Sequence, residues 1–153
     1  MPLRVQIITQ ERELCDQEAD MVLARGVDGE MGILPRHAPL VTALDYGEVV
    51  VRRGALEEIF AVGGGVLRVA HDHVIILADS AEHAEEIDSA RAEEARRRAE
   101  AMMAQGVPID PAQAAALEAA IKRADLRLTV ARKRTLRRGG GGVPLDTGGA
   151  EQP

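Results

Sequence analysis

Ala81-Glu82-His83-Ala84-Glu85-Glu86-Ile87-Asp88-Ser89-Ala90-Arg91-Ala92 is the stretch at which the chain changes character. Before it, short runs of Val, Ile and Leu alternate with Gly, Asp and Pro. After it, residues 87–138 carry 14 alanines and a single glycine, Gly106. Alanine is the strongest helix former and β-branched residues favour strands. The stretch therefore divides a β module, residues 1–84, from a helical arm, residues 87–138. Residues 139–153 open on four glycines and hold too little apolar content to pack, so disorder is expected there.

Toward the N-terminus, runs with β character are Val5–Thr9, Met21–Ala24, Leu40–Leu44, Glu48–Arg52, Glu57–Val62, Val66–Ala70 and Val74–Ala78. Asp28-Gly29, Tyr46-Gly47, Arg53-Gly54 and Asp72 supply turns between them. Many short strands with close turns and no intervening helix predict a sandwich or a barrel. The densest pattern is Gly29-Glu30-Met31-Gly32-Ile33-Leu34-Pro35-Arg36-His37-Ala38-Pro39-Leu40. It reads as a loop-like bend, stiffened by Pro35 and Pro39, with Gly32 expected at positive φ. No turn needs Glu30 or His37. They are either solvated loop residues or a docking edge presented by a rigid loop, and the residues alone leave both readings open.

Other motifs are structural. Gly63-Gly64-Gly65 is followed by neither Gly-Lys-Ser/Thr nor a helix, so a bulge or a close strand approach is expected instead of a phosphate loop. His71-Asp72-His73 lies in an expected hairpin turn without a third metal ligand nearby and reads as a solvated turn. No Ser/His/Asp or Cys/His arrangement stands out.

Toward the C-terminus the helical pattern breaks at Gly106-Val107-Pro108-Ile109-Asp110-Pro111. Asp110 is placed to cap a second helix, with Pro111 at its first position and Gln113 three residues after the cap. Two helices with a short connector predict an antiparallel hairpin. Leu117, Ile121, Ala124, Leu128 and Ala131 repeat at spacings of 4, 3, 4 and 3, a coiled-coil seam. Ala92, Ala95, Ala99 and Met102 or Met103 form the expected matching stripe. Alanine buries little area, so the closed arm gains only a modest hydrophobic term and a partner or ligand is able to decide its state. Arg91 and Arg98 share a face of the first helix; Arg123 and Arg127 share a face of the second. Pairing the helices would bring the four guanidiniums together, which calls for an anion among them.

Composition narrows the function classes. The 153 residues suit one ordinary domain with an appendage, or two small ones. With one Phe, one Tyr and no Trp, any core must be aliphatic. Net charge is −6 but uneven: residues 1–87 hold 7 basic and 16 acidic side chains, residues 88–138 hold 12 and 7. The arm is basic yet lacks aromatic residues for stacking on bases, which argues against nucleic acid. The lone Cys15 excludes an internal disulfide and fits a reducing compartment. No signal peptide is evident at the start, and runs such as Val74–Ala78 are too short to span a bilayer, so direct membrane insertion is not expected.

Three stretches in order resemble one family: Gly29–Leu40; then Phe60-Ala61-Val62-Gly63-Gly64-Gly65-Val66-Leu67-Arg68-Val69 with Val74–Ala78; then the junction Ile87-Asp88-Ser89-Ala90-Arg91-Ala92. Together they resemble the epsilon subunit of the F-type ATP synthase over residues 3–137. The resemblance implies an α+β fold, an N-terminal antiparallel β-sandwich followed by a C-terminal two-helix antiparallel hairpin. It implies a non-catalytic place in the rotor stalk of a proton-translocating complex, peripheral on the cytoplasmic face of the bacterial cell membrane. The implied partners are the gamma subunit and the c-ring, with Glu30 and His37 at the ring edge, and the alpha/beta head when the arm extends. Extended helices restrain ATP hydrolysis in this family. Some bacterial members bind ATP as a regulatory ligand between hairpin and sandwich. Glu82, Ile87, Asp88, Arg91 and Ala92 match that motif region, and Arg98, Arg123 and Arg127 match its supporting arginines; no cofactor or metal is implied. The rival readings are a stand-alone ATP-sensing adaptor and an enzyme, the latter opposed by the missing nucleophile, metal cluster and phosphate loop.

Overall fold

The computed structural model describes residues 2–105 and 110–139. Eight strands come first: β1 (Leu3–Ile8), β2 (Glu13–Ala19), β3 (Met21–Gly26), β4 (Gly29–Ile33), β5 (Leu40–Arg53), β6 (Leu56–Ala70), β7 (His73–Ala78) and β8 (Ala81–His83). A 3₁₀ turn at Ala84–Glu86 leads into helices α1 (Ser89–Ala104) and α2 (Pro111–Gly139). Gly139 thus closes α2. The expected tail beyond it, and Gly106–Ile109 of the connector, lie outside the described residues.

The strand order is β2-β1-β7-β6-β5-β3-β4, with β8 also paired to β6. All pairings are antiparallel except β1 with β7, which is parallel. Two long strands make one sheet serve as two layers. The second half of β6 pairs with β7 from Gly65 onward, while Phe60–Val62 pairs with β8. Between those halves Gly64 and Gly65 have φ of 89° and 135°, which L side chains rarely adopt. A Cβ on Gly65 would stand 2.8 Å from the Ala78 Cα. The glycine triplet is a bend with close strand approach, as its sequence context predicted.

Local expectations fail in identifiable ways. Tyr46-Gly47 is not a turn: β5 runs through it, paired to Gly63 and Val62 of the bending β6. Gly29–Ile33 is a strand, and Gly32 within it has no positive φ. The left-handed positions are Gly29, at 127° in the β3–β4 turn, and Arg36, at 66° in the following bend. β2 goes unrecognised because only Cys15 and Ala19 of its seven residues are buried, so it lacks an apolar alternation. β8 is too short to carry a pattern.

Inward side chains of β1–β7 build an aliphatic core around fully buried Phe60, Leu3, Ile7, Ile33 and Ile76. A second core forms on the other face of β5 and β6, where Val50, Ile59 and Ala61 meet Ala84, Ile87, Val130 and Ala131. The arm is therefore folded against the sandwich through α2. Helix α1 starts at Asp88, whose Oδ1 accepts the Arg91 N–H at 3.2 Å. Asp110 caps α2 as expected, its Oδ1 accepting the Gln113 N–H at 2.9 Å.

The seam of α2 holds, with Ala124, Leu128 and Ala131 buried and Leu117 and Ile121 half-buried. The α1 stripe is narrower than expected. Ala92 and Ala99 are buried, but Ala95 is exposed, and Met102 and Met103 are 52% and 42% exposed. Arg96 takes the intermediate position instead, half-buried and with its Nε 3.2 Å from Asp125 Oδ1 on α2. A long Arg stem can cover apolar surface while its head reaches a carboxylate, which a lone Ala cannot match.

Candidate functional site: an arginine-lined recess and two exposed surfaces

β8 sets Glu82 opposite Ala61, on the side of the sheet that α2 crosses. There the Glu82 carboxylate takes a fork from Arg127: Nε donates to Oε2 at 2.8 Å and Nη2 to Oε1 at 3.0 Å, with both side chains mostly buried. One turn earlier on α2 stands Arg123. Glu82, Arg123 and Arg127 line a recess of about 270 Å³ with Ser80, Leu126 and Arg12. Arg12 comes from the β1–β2 loop and donates to both oxygens of Glu86, at 3.1 and 2.6 Å. That fork holds the Glu86 carboxyl below its ordinary range, and Glu86 raises Arg12 in turn. Among the described residues Arg123 has no ion-pair partner.

The other sequence-derived positions lie around this recess in different roles. Ile87 is buried in the second core, Asp88 caps α1, and Ala92 is fully buried in the helix seam. Arg91 is 83% exposed, with its Nε 3.6 Å from Asp88 Oδ2. Arg98 donates to Glu94 one turn back at 3.2 Å. The structure thus brings Glu82, Arg123 and Arg127 together, and leaves Arg91 and Arg98 engaged on their own helix. Arg12 was missed because a single basic residue in a hairpin loop carries no local signal; only the tertiary fold brings it in. Arg134 was missed for the same reason. Its Nη1 donates to the backbone oxygens of Ala84 at 2.7 Å and Ile87 at 3.1 Å, clasping the segment that joins sandwich to arm. Lys133 beside it pairs with Glu48 of β5.

Glu30 sits exposed on β4, opposite Arg25, at the rim of an 820 Å³ groove between the β3–β5 region and α2. His37 lies in the bend after β4, its Nδ1 2.7 Å from the Ala38 oxygen and therefore donating to it. The bend is tethered from its middle, where the Arg36 N–H donates to Asp72 Oδ1 of the β6–β7 turn at 2.6 Å. His71 and Asp72 form that turn, both at positive φ. A further surface lies on the outward face of β1, β7, β6 and β5. Cross-strand register places Ile8, Leu77, Val66 and Ala43 in one row. Leu77 and Val66 are 56% and 43% exposed, and Val41 nearby is 69% exposed. Among the described residues no helix is long and apolar enough to cross a membrane.

Residues 2–84 match the family model of the ATP synthase delta/epsilon chain, β-sandwich domain. The ATP synthase epsilon chain of Dehalococcoides mccartyi is 52% identical over 132 residues, covering 86% of this chain and 94% of that one. The chain belongs to the ATP synthase epsilon family. An epsilon chain from Herpetosiphon aurantiacus is 45% identical over 135 residues, 88% of this chain and 97% of its own length. Epsilon chains are non-catalytic members of their complex. The epsilon fold is also seen in a chain of the Euglena gracilis mitochondrial ATP synthase, in a structure of its OSCP, F1 and c-ring assembly. That chain superposes with a TM-score of 0.72 at 22% identity, over 88% of this chain and 81% of its own.

Proposed function

We propose that this epsilon chain is a rotor-stalk subunit that couples c-ring rotation to ATP synthesis and restrains ATP hydrolysis through its arm. Its sandwich docks on a gamma chain and on the ring loops, on the cytoplasmic side of a bacterial membrane. The observation that carries the docking is the apolar row on the outward sheet face. Exposed large side chains in one patch, on a domain whose core is already complete, mark a protein interface. Glu30 and His37, held by β4 and the tethered bend, supply a polar edge suited to ring loops.

The arm is ATP-responsive in this reading. Glu82, Arg123 and Arg127 form the recess part of the nucleotide site. Arg91 and Arg98 join it by releasing Asp88 and Glu94, exchanges that cost little because those pairs are solvent-exposed. ATP bound between α2 and the sandwich would favour the closed arm.

The test of docking is co-expression with the gamma chain of the same organism's ATP synthase. The native chain should co-purify with it, and Leu77→Asp should abolish co-purification while leaving the melting temperature of the isolated chain nearly unchanged. A native chain that never retains gamma removes the rotor reading and leaves the stand-alone ATP-sensing adaptor.

A further inference from the structure

The recess contains a guanidinium that the sequence motif does not supply, and it belongs to the sandwich. Arg12, Arg123 and Arg127 reach it from a hairpin loop and from two successive turns of α2. Two of the three are already forked onto carboxylates, Arg127 onto Glu82 and Arg12 onto Glu86. The charge of Glu82 also acts on Arg12, so this one carboxylate lies within the field of arginines on both walls. A bidentate carboxylate occupies an Arg fork much as a phosphate does.

We propose that Arg12 is an anion ligand of the recess, and that Glu86 is an internal carboxylate that a polyphosphate displaces. The proposal rests on the nucleotide reading above and adds a residue and an exchange to it. Three guanidiniums against two carboxylates leave the closed recess with one unbalanced positive charge, on Arg123. Turning Glu86 out leaves two, on Arg12 and Arg123, facing a highly charged phosphate chain from opposite walls. The Arg12–Glu86 pair is half-exposed, with side chains 50% and 46% accessible, so breaking it costs little. The volume of about 270 Å³ lies at the small end of ligand sites, roughly 300–1,000 Å³. That size suits the phosphate chain, with the remainder of a nucleotide outside. Because Arg12 stands on the sandwich and the other two on α2, the bound anion bridges the two units directly.

Calorimetry on the full chain, titrated with ATP and separately with inorganic tripolyphosphate, tests this. Arg12→Ala should weaken both ligands at least tenfold, as should Arg123→Ala. Arg4→Ala, which removes a sandwich arginine paired to Asp16 away from the recess, should leave both unchanged. Glu86→Gln breaks the same ion pair as Arg12→Ala but frees the guanidinium, so it should tighten binding severalfold. That opposite sign separates ligand loss from simple destabilisation. If Arg12→Ala binds like the native chain while Arg123→Ala is weakened, the proposal is overturned and the nucleotide reading stands. If Glu86→Gln weakens binding, the displacement is overturned. If the native chain takes up neither ligand at millimolar concentration, the nucleotide reading falls and the proposal with it.

Discussion

Cys15 sits in a mostly polar edge strand, yet its side chain points into the sandwich core and its thiol donates toward the Val5 oxygen at 3.8 Å. Burial, followed by the nearby charge of Glu58, pushes its pKa from 9.0 up to about 12. The native thiol should therefore resist an aromatic disulfide reagent at pH 8 and react at once when urea is added; rapid native reaction would contradict the burial. The pH dependence follows from the same shift. The folded state keeps its proton where the unfolded thiol has lost it, so this stabilisation is complete below about pH 9 and lost as the pH rises toward 12. Urea midpoints between pH 8 and 10.5 should fall in the native chain and fall less in Cys15→Ala. Residues of this kind divide by legibility. The Asp110 cap could be read because its signal is local, three residues to Gln113. Arg12 and Arg134 could not, since their partners lie 74 and 47–50 positions away.

At the scale of elements, the two helices are unequal. α2 buries Ala124, Leu128, Val130 and Ala131 between α1 and the sheet, whereas α1 buries only two alanines and leans on the Arg96–Asp125 bridge. Replacing Leu128 with Ala should cost roughly 2–5 kcal/mol, the usual range for a large-to-small change in a packed interior. That loss should fall on the arm. Hydrogen exchange by mass spectrometry should show faster exchange in α1 and α2 with strands β5–β7 unaffected; uniform acceleration through the sheet would mean that arm and sandwich unfold together. The boundary between the two units was legible, since alanine density changes abruptly near residue 87. The splitting of β5 and β6 into four short strands was the main misreading. Gly47 looks like a turn residue, but here β5 runs through it opposite Val62 of β6, a use that depends on neighbouring strands and not on local sequence.

Across the whole molecule, charge and shape agree. The acidic 1–87 region and the basic 88–138 region meet through Glu82–Arg127 and Glu48–Lys133. Attraction between two partly exposed sets of opposite charge is screened by salt. Raising salt from 50 mM to 500 mM should therefore populate the open arm. A pair of dyes on Val27→Cys and Thr129→Cys, in a Cys15→Ala background, should lose energy transfer, and ATP should restore it. An efficiency independent of salt would place the closure energy in the apolar contacts alone. The overall division, a strand-built module and a two-helix arm, was open to sequence reading because it rests on periodicity and composition. The folded-back placement of α2 was not, because the contacts that decide it are a half-dozen residues on two unrelated faces.

Arg134 gives that placement a kinetic meaning. By bonding the oxygens of Ala84 and Ile87, it closes a ring of about 50 residues that contains α1, the connector and nearly all of α2. Chain closed into a ring cannot explore the space open to a free arm, and the conformational freedom withheld is regained only when the ring opens. Full release of the arm therefore requires this clasp to break, near the end of α2 and at the sandwich at once.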